Sequence, residues 1–316
     1  MAGRMIRFVW GAAPLLLSVA SFAWCTNTVM VRGIGHVIPP MGLAFWRMAV
    51  AAMVAGAMAP RALVADIPVM LRHWKLMALL GATGIGGFNL LIYIGLQTTT
   101  ALHTLLLQSV IPVTILGSAA LLYREMPRAR QLLAIGVSLL GVMVIVGQGS
   151  IMQVLRLRVV SGDVWVFSAM VVYGFYSVLL RRLPALHPLS FLAGSFAAAS
   201  LMLLPAALWE WHTVGPVPAT GPVMLICLYL AVVPSILAYL FFNRGVALMG
   251  PARAGQYLHL VPVFGSLLAV FILGEAFGPY LLVGIALIGA GLGLAGAGGA
   301  RLATALRTRW RMVVER

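Results

Sequence analysis

Acidic side chains are almost missing from this chain: Asp and Glu number 6 in 316 residues, and charged residues of both signs make up only 9%. An average soluble domain carries roughly 25% charged residues, so this composition cannot clothe a water-facing surface. The shortage also removes most of the material for acidic metal centres and paired-carboxylate catalysis. Cysteine is scarcer still. Cys25 and Cys227 have neither metal-ligand spacing nor a disulfide framework around them, and both are read as small packing residues.

What is abundant is apolar. Hydrophobic residues account for 62% of the chain, and lipid can solvate them if the backbone satisfies its own polar groups in helices. The expected fold is an all-α integral membrane protein. A net charge of +15 would suggest nucleic acid in a soluble protein. Here the basic residues gather between and after the apolar segments, where they set topology. Membrane lipid is therefore the expected partner, with no nucleic acid.

Ten stretches, approximately 8–31, 41–59, 74–98, 101–122, 129–147, 163–183, 188–208, 221–243, 252–273 and 278–298, approach the roughly 20 apolar residues needed to cross a bilayer. Arg4 and Arg7 ahead of the first could introduce a secretory leader, but a counterpart at 163–183 makes that segment the first helix of a repeat. With the N-terminus inside, 17 Lys and Arg fall on inner segments and 3, Arg32, Arg156 and Arg158, on outer ones. Both termini are then expected in the cytoplasm. Arg47 lies within the second span, where snorkelling between Phe45 and Trp46 is preferred over bidentate binding of a carboxylate.

The sequence PVTILGSAALLYRE at 112–125 recurs as PVFGSLLAVFILGE at 262–275, an offset of 150 that also relates Gly95 to Gly245. Five spans per half is an odd number, so the second half should be inverted relative to the first. The expected organisation is a first five-helix repeat over 8–147, a connector over 148–162, a second repeat over 163–298 and a basic cytoplasmic tail over 299–316. Inverted halves can exchange conformations about a site near the bilayer midplane.

Pro112, Pro262 and Pro234 should release the carbonyls of Gln108, Leu258 and Leu230, making the first two candidate gating hinges. Glu125 and Glu275 fall at opposite surfaces and are read as carboxylates stabilising the helix that follows, with a gate as the alternative. Ala78, Ala82 and Gly86, and likewise Gly289, Gly293 and Ala297, offer small-residue packing faces. Nothing in these faces demands more than a monomer or weak dimer.

Polar and aromatic residues inside the spans outline a pocket for a small-molecule substrate. Asn89 and Tyr93 are four residues apart, as are Tyr239 and Asn243 at the 150 offset, so each pair shares a helix face. Trp24 and Asn27, Gln108, Tyr173 and Tyr176, and Gln256 and Tyr257 complete the candidate set. His103 and His259 are the candidates for coupling, because no Asp or Glu falls in mid-span. That absence fits facilitated diffusion as well as coupling through histidine. No catalytic residue, metal ligand or cofactor is expected: paired-aspartate, His-Glu-x-x-His and serine-nucleophile patterns are all lacking. An intramembrane enzyme has no need of inverted halves, and a sensor would want an output domain where only a short basic tail follows Arg301.

The joint spacing over about 10–298 resembles the EamA-type exporters of the drug/metabolite transporter superfamily. Gly162-Asp163 followed by Tyr173-Gly174-Phe175-Tyr176, and Gly274-Glu275, carry that resemblance; Tyr123-Arg124-Glu125 departs from it in lacking the glycine. The resemblance implies a multi-pass protein of a bacterial inner membrane that exports amino acids, and it is closest in kind to the aromatic amino acid exporters. Export of another metabolite or a drug-like cation is the alternative.

Overall fold

Apolar runs can leave water only by pairing their own backbone groups, and the runs of this chain do so as helices. The computed structural model describes residues 10–34, 38–155, 158–273 and 277–296. Among these, no strand occurs, and eight helices are long and apolar enough to cross a membrane.

The chain opens with α1 Ala13–Ile34, α2 Pro40–Met58 and α3 Pro60–Arg72. Next, α4 Trp74–Gly81 runs through a π turn, Ala82–Gly86, into α5 Gly87–Leu96. There follow α6 Ala101–Gln108, α7 Ile111–Tyr123, α8 Ala129–Val146 and the short α9 Ile151–Leu155. Beyond these lie α10 Ser161–Leu179, α11 Pro188–Thr213, and α12 Gly221–Leu230, which passes through a π turn, Ala231–Leu237, into α13 Ala238–Met249. Finally, α14 Pro251–Gln256 is joined by a 3₁₀ turn, Tyr257–His259, to α15 Leu260–Leu273, and α16 Pro279–Gly296 closes the series.

Packing follows a pattern that survives exchange of the two halves. Helix α2 packs on α11, and α8 on α16; α10 packs on α5 and α7, just as α1 packs on α13 and α15. Glycine permits the closest of these approaches. A Cβ on Gly141 would lie 2.7 Å from the carbonyl oxygen of Gly284, and one on Gly162 would strike that of Gly95. The face of α16 that packs carries Leu281, Gly284, Ile288 and Gly291, whereas Gly289 and Gly293 face open space. This corrects the small-residue face expected at Gly289 and Gly293; Ala297 lies outside the described residues.

Prolines set the interruptions. Pro112 is not a kink in a continuous helix but the second residue of α7, after a break at Ser109 and Val110. Proline is tolerated there because first-turn N–H groups have no intrahelical partner. Pro262 stands in the first turn of α15 after the 3₁₀ turn, at the same place in the second half. Pro234 lies within its π turn, and the Leu230 carbonyl accepts a bond from Ser235 Oγ at 2.9 Å. That is the group expected to be released.

Two surface features differ from expectation. Residues 60–72, which fall between the second and third expected spans, form α3, which buries none of its residues and exposes Val64, Ile67 and Leu71. Asp66 holds it by accepting from the His187 N–H at 2.9 Å. Glu125 accepts from Arg181 Nη1 at 2.7 and 2.8 Å instead of serving α8, where Gln131 Oε1 accepts from the Arg128 N–H. Glu275 and the tail at 299–316 include or are residues outside those described. Arg124 has φ 55°. It occupies, in the left-handed region, the position of Gly274 in the other copy.

Candidate functional site

The two π turns and the two helix breaks loosen the backbone near one place. A π turn misaligns the regular ladder and leaves carbonyls available to side chains. In the first, the Gly84 carbonyl accepts from Tyr239 Oη at 2.8 Å and the Ile85 carbonyl from Asn89 Nδ2 at 2.7 Å. At the breaks, the Ser109 carbonyl accepts from His259 Nε2 at 2.8 Å and the Tyr257 carbonyl from Ser21 Oγ at 2.8 Å. The bonded carbonyls are therefore Ser109 and Tyr257, one residue from the Gln108 and Leu258 expected.

Beside these interruptions lies a partly open cavity with about 670 Å³ of empty space, open solvent included. Its polar and amphipathic lining is Trp24, Asn27, Gln108, Ser109, Tyr173 and Tyr239; its apolar lining includes Phe88, Leu105, Ile111, Leu258, Val261 and Pro262. Helices α1, α5, α6, α7, α10, α13 and α15 all contribute, together with the 3₁₀ turn.

Trp24 organises the aromatic wall. It makes edge contacts with Tyr173 at 6.4 Å and Tyr239 at 5.5 Å between centroids, and Phe88 meets Tyr173 at 5.1 Å. Such tilted and edge-on contacts suit the ring quadrupoles and leave a semi-rigid apolar surface. The Tyr173 hydroxyl is buried and has no hydrogen-bond partner among the described residues.

The expected binding residues divide. Trp24, Asn27, Gln108, Tyr173, Tyr239 and Pro262 line the cavity, whereas Asn89, Tyr93, Tyr176, Asn243, Gln256 and Tyr257 fall outside that lining. Tyr176 is fully buried behind it and donates to Asn243 Oδ1 at 2.8 Å. The four residues Asn89, Tyr93, Tyr239 and Asn243 thus do not share one cavity wall; of them, Tyr239 alone is in its lining. Pro112 is buried at the start of α7, also outside the lining. His259 is committed to Ser109. His103 lies 2.8 Å from Asp163, whose carboxylate also accepts from the Val160 N–H at 2.9 Å and from Thr99 Oγ1.

Arg47 is the residue that sequence reasoning misplaced. Instead of snorkelling it is 5% exposed, donating from Nη1 to Asn27 Oδ1 and from Nη2 to Asn89 Oδ1, each at 2.9 Å. Two amides on other helices give the guanidinium an inward target, which a single-helix reading cannot supply. Phe88 was also missed, although its place next to Asn89 on α5 was a usable signal.

Comparison with known proteins agrees with this architecture. The profile of the EamA-like transporter family matches residues 11–147 and 160–297. The uncharacterized transporter YyaM of Bacillus subtilis (strain 168) is 27% identical over 214 residues, covering 66% of this chain and 68% of its own. A protein named "Probable terminal-alkyne amino-acid exporter" from Streptantibioticus cattleyicolor is 28% identical over 302 residues, 93% of each chain. A solved crystal structure with 20% identity superposes with a TM-score of 0.73, covering 92% of this chain and 98% of its own, which speaks to the fold.

Proposed function

The chain belongs to the EamA-like transporter family, and on that premise we propose that it exports amino acids with hydrophobic or aromatic side chains by alternating access. One observation carries the substrate class: an aromatic wall of Trp24, Tyr173 and Tyr239 faces a cavity that also offers the polar groups of Asn27 and Gln108. An amino acid has those two ends. The similarity to an amino-acid exporter over 93% of the chain supports the same reading.

Ten spans in two inverted five-helix halves, running 8–147 and 163–298, give the motion its frame, with both termini cytoplasmic in a bacterial inner membrane. Support comes from helix contacts that persist when the halves are exchanged, and from breaks and π turns at matching positions. Rocking of two such halves about a midplane site exposes it to each side in turn. The enclosing helices carry no mid-span carboxylate, which favours facilitated diffusion down the amino acid gradient.

Flux from proteoliposomes tests the reading. Loaded phenylalanine, tryptophan and leucine should leave down their gradients at the same rate with and without a pH difference. Absence of flux for all amino acids, with flux of another metabolite class, would overturn the substrate assignment.

A further inference from the structure

Arg47 is 5% exposed and costly to bury. A guanidinium stays protonated under all ordinary conditions, and burying a cation at membrane depth is costly unless it is paired. Among the described residues its charge has no carboxylate against it. Asp66 is bonded to the His187 N–H, Glu125 to Arg181, Asp163 to His103 and Thr99, and Glu210 to the Gly42 N–H at 2.7 Å. The partners of Arg47 are two neutral amide oxygens, and its Nε is buried without any partner.

One of those amides leads to the cavity. Asn27 turns its Oδ1 to Arg47 and lines the cavity, which leaves its Nδ2 group as a donor there. An amide whose oxygen is held by a cation is a stronger donor from its nitrogen, since bonds in series polarise one another. Tyr173, on the same lining, has a buried hydroxyl without a partner. The cavity thus has donors in Asn27 and Tyr173 and a fixed positive charge behind the first, with no resident anion among the described residues.

We propose that Arg47, acting through Asn27, makes this cavity a receptor for a carboxylate, so that the exported substrate must carry its α-carboxylate in ionised form. The inference rests on the cavity being the substrate site. Asn27 touches the carboxylate; Arg47 is a positioning residue that orients and polarises Asn27 and supplies the countercharge. A cationic drug is disfavoured as a substrate by the same charge.

Binding to the full-length protein in lipid nanodiscs tests this, with phenylalanine and leucine, their carboxamides, and 2-phenylethylamine as probes. A charge-assisted bond lost is worth about tenfold in affinity, and the wild-type protein should prefer each acid over its amide by at least that factor. Arg47→Gln and Asn27→Ala should each lose the preference and bind acid and amide equally, with thermal unfolding of each variant showing that it is folded. Arg47→Lys, which keeps the charge but not the fork, should restore part of the preference. Equal affinity of the wild-type protein for acids and amides would overturn the proposal while leaving the amino acid reading in place, and needs no variant. Retained preference in a folded Arg47→Gln protein would overturn the role of Arg47. Binding of none of the probes would remove the amino acid reading and this inference with it.

Discussion

His259 donates its Nε2–H to the carbonyl oxygen of Ser109 at 2.8 Å, across a separation of 150 residues. That separation is also the offset between the two copies of the repeated segment, so the bond joins equivalent positions of the two halves. A carbonyl can only accept, which fixes the Nε2–H tautomer of the neutral ring. Each partner stands at the interruption before a proline, where the regular ladder has lapsed. The interruptions are thus tied to one another at the wall of the cavity, and sliding of one half on the other must strain or break this contact.

His259→Leu should leave the Ser109 carbonyl buried and unpaired, at a cost of about 1–3 kcal/mol. Thermal unfolding in detergent measures it, and His259→Gln, which can still donate, should recover part of the loss. If the contact is also a latch, His259→Leu raises the rate of exchange between the two access states relative to His259→Gln.

Arg124→Gly should stabilise the protein by about 1 kcal/mol, because a left-handed residue with a Cβ is strained and glycine is not. The side chain is exposed, so little is lost with it. Comparison of unfolding midpoints for the two proteins reads the effect directly. An unchanged or lowered midpoint would mean that the turn is held in this conformation by something other than backbone preference.

Tyr173 and Tyr176 are adjacent on one face of α10 but should respond differently. Tyr173 lines the cavity, so Tyr173→Ala should raise the KM for transport. Tyr176 is bonded to Asn243 behind it, so Tyr176→Phe should cost about 1 kcal/mol of stability and leave KM unchanged. Transport kinetics alongside unfolding of each variant separates the two roles.

Much of the architecture could be read from the chain because lipid imposes a length on apolar helices, and because prolines and glycines recur at a fixed offset. Residues 60–72 escaped that logic. Their apolar positions form a stripe too narrow for a span, and α3 rests against the outside of α11 instead of crossing beside it. The site was legible only in part for a related reason. Trp24, Asn27, Gln108, Tyr173 and Tyr239 stand out as polar or amphipathic groups in apolar runs, but so do Tyr176, Asn243 and Gln256, which fall outside the lining. Which of them meet is decided between helices. Arg47 makes the point most sharply, since its direction is set by Asn27 and Asn89 on two other helices.

The most direct test of the cavity as the transport site is substrate protection at Gln108. Cys25 and Cys227 are buried and can be replaced by alanine to give a silent background, into which Gln108→Cys or the exposed control Met126→Cys is introduced. A transported amino acid at saturating concentration should slow the reaction of Gln108→Cys with a small thiol reagent and leave Met126→Cys unaffected. Equal labelling of Gln108→Cys with and without a substrate that the same protein demonstrably transports would contradict the assignment of this cavity.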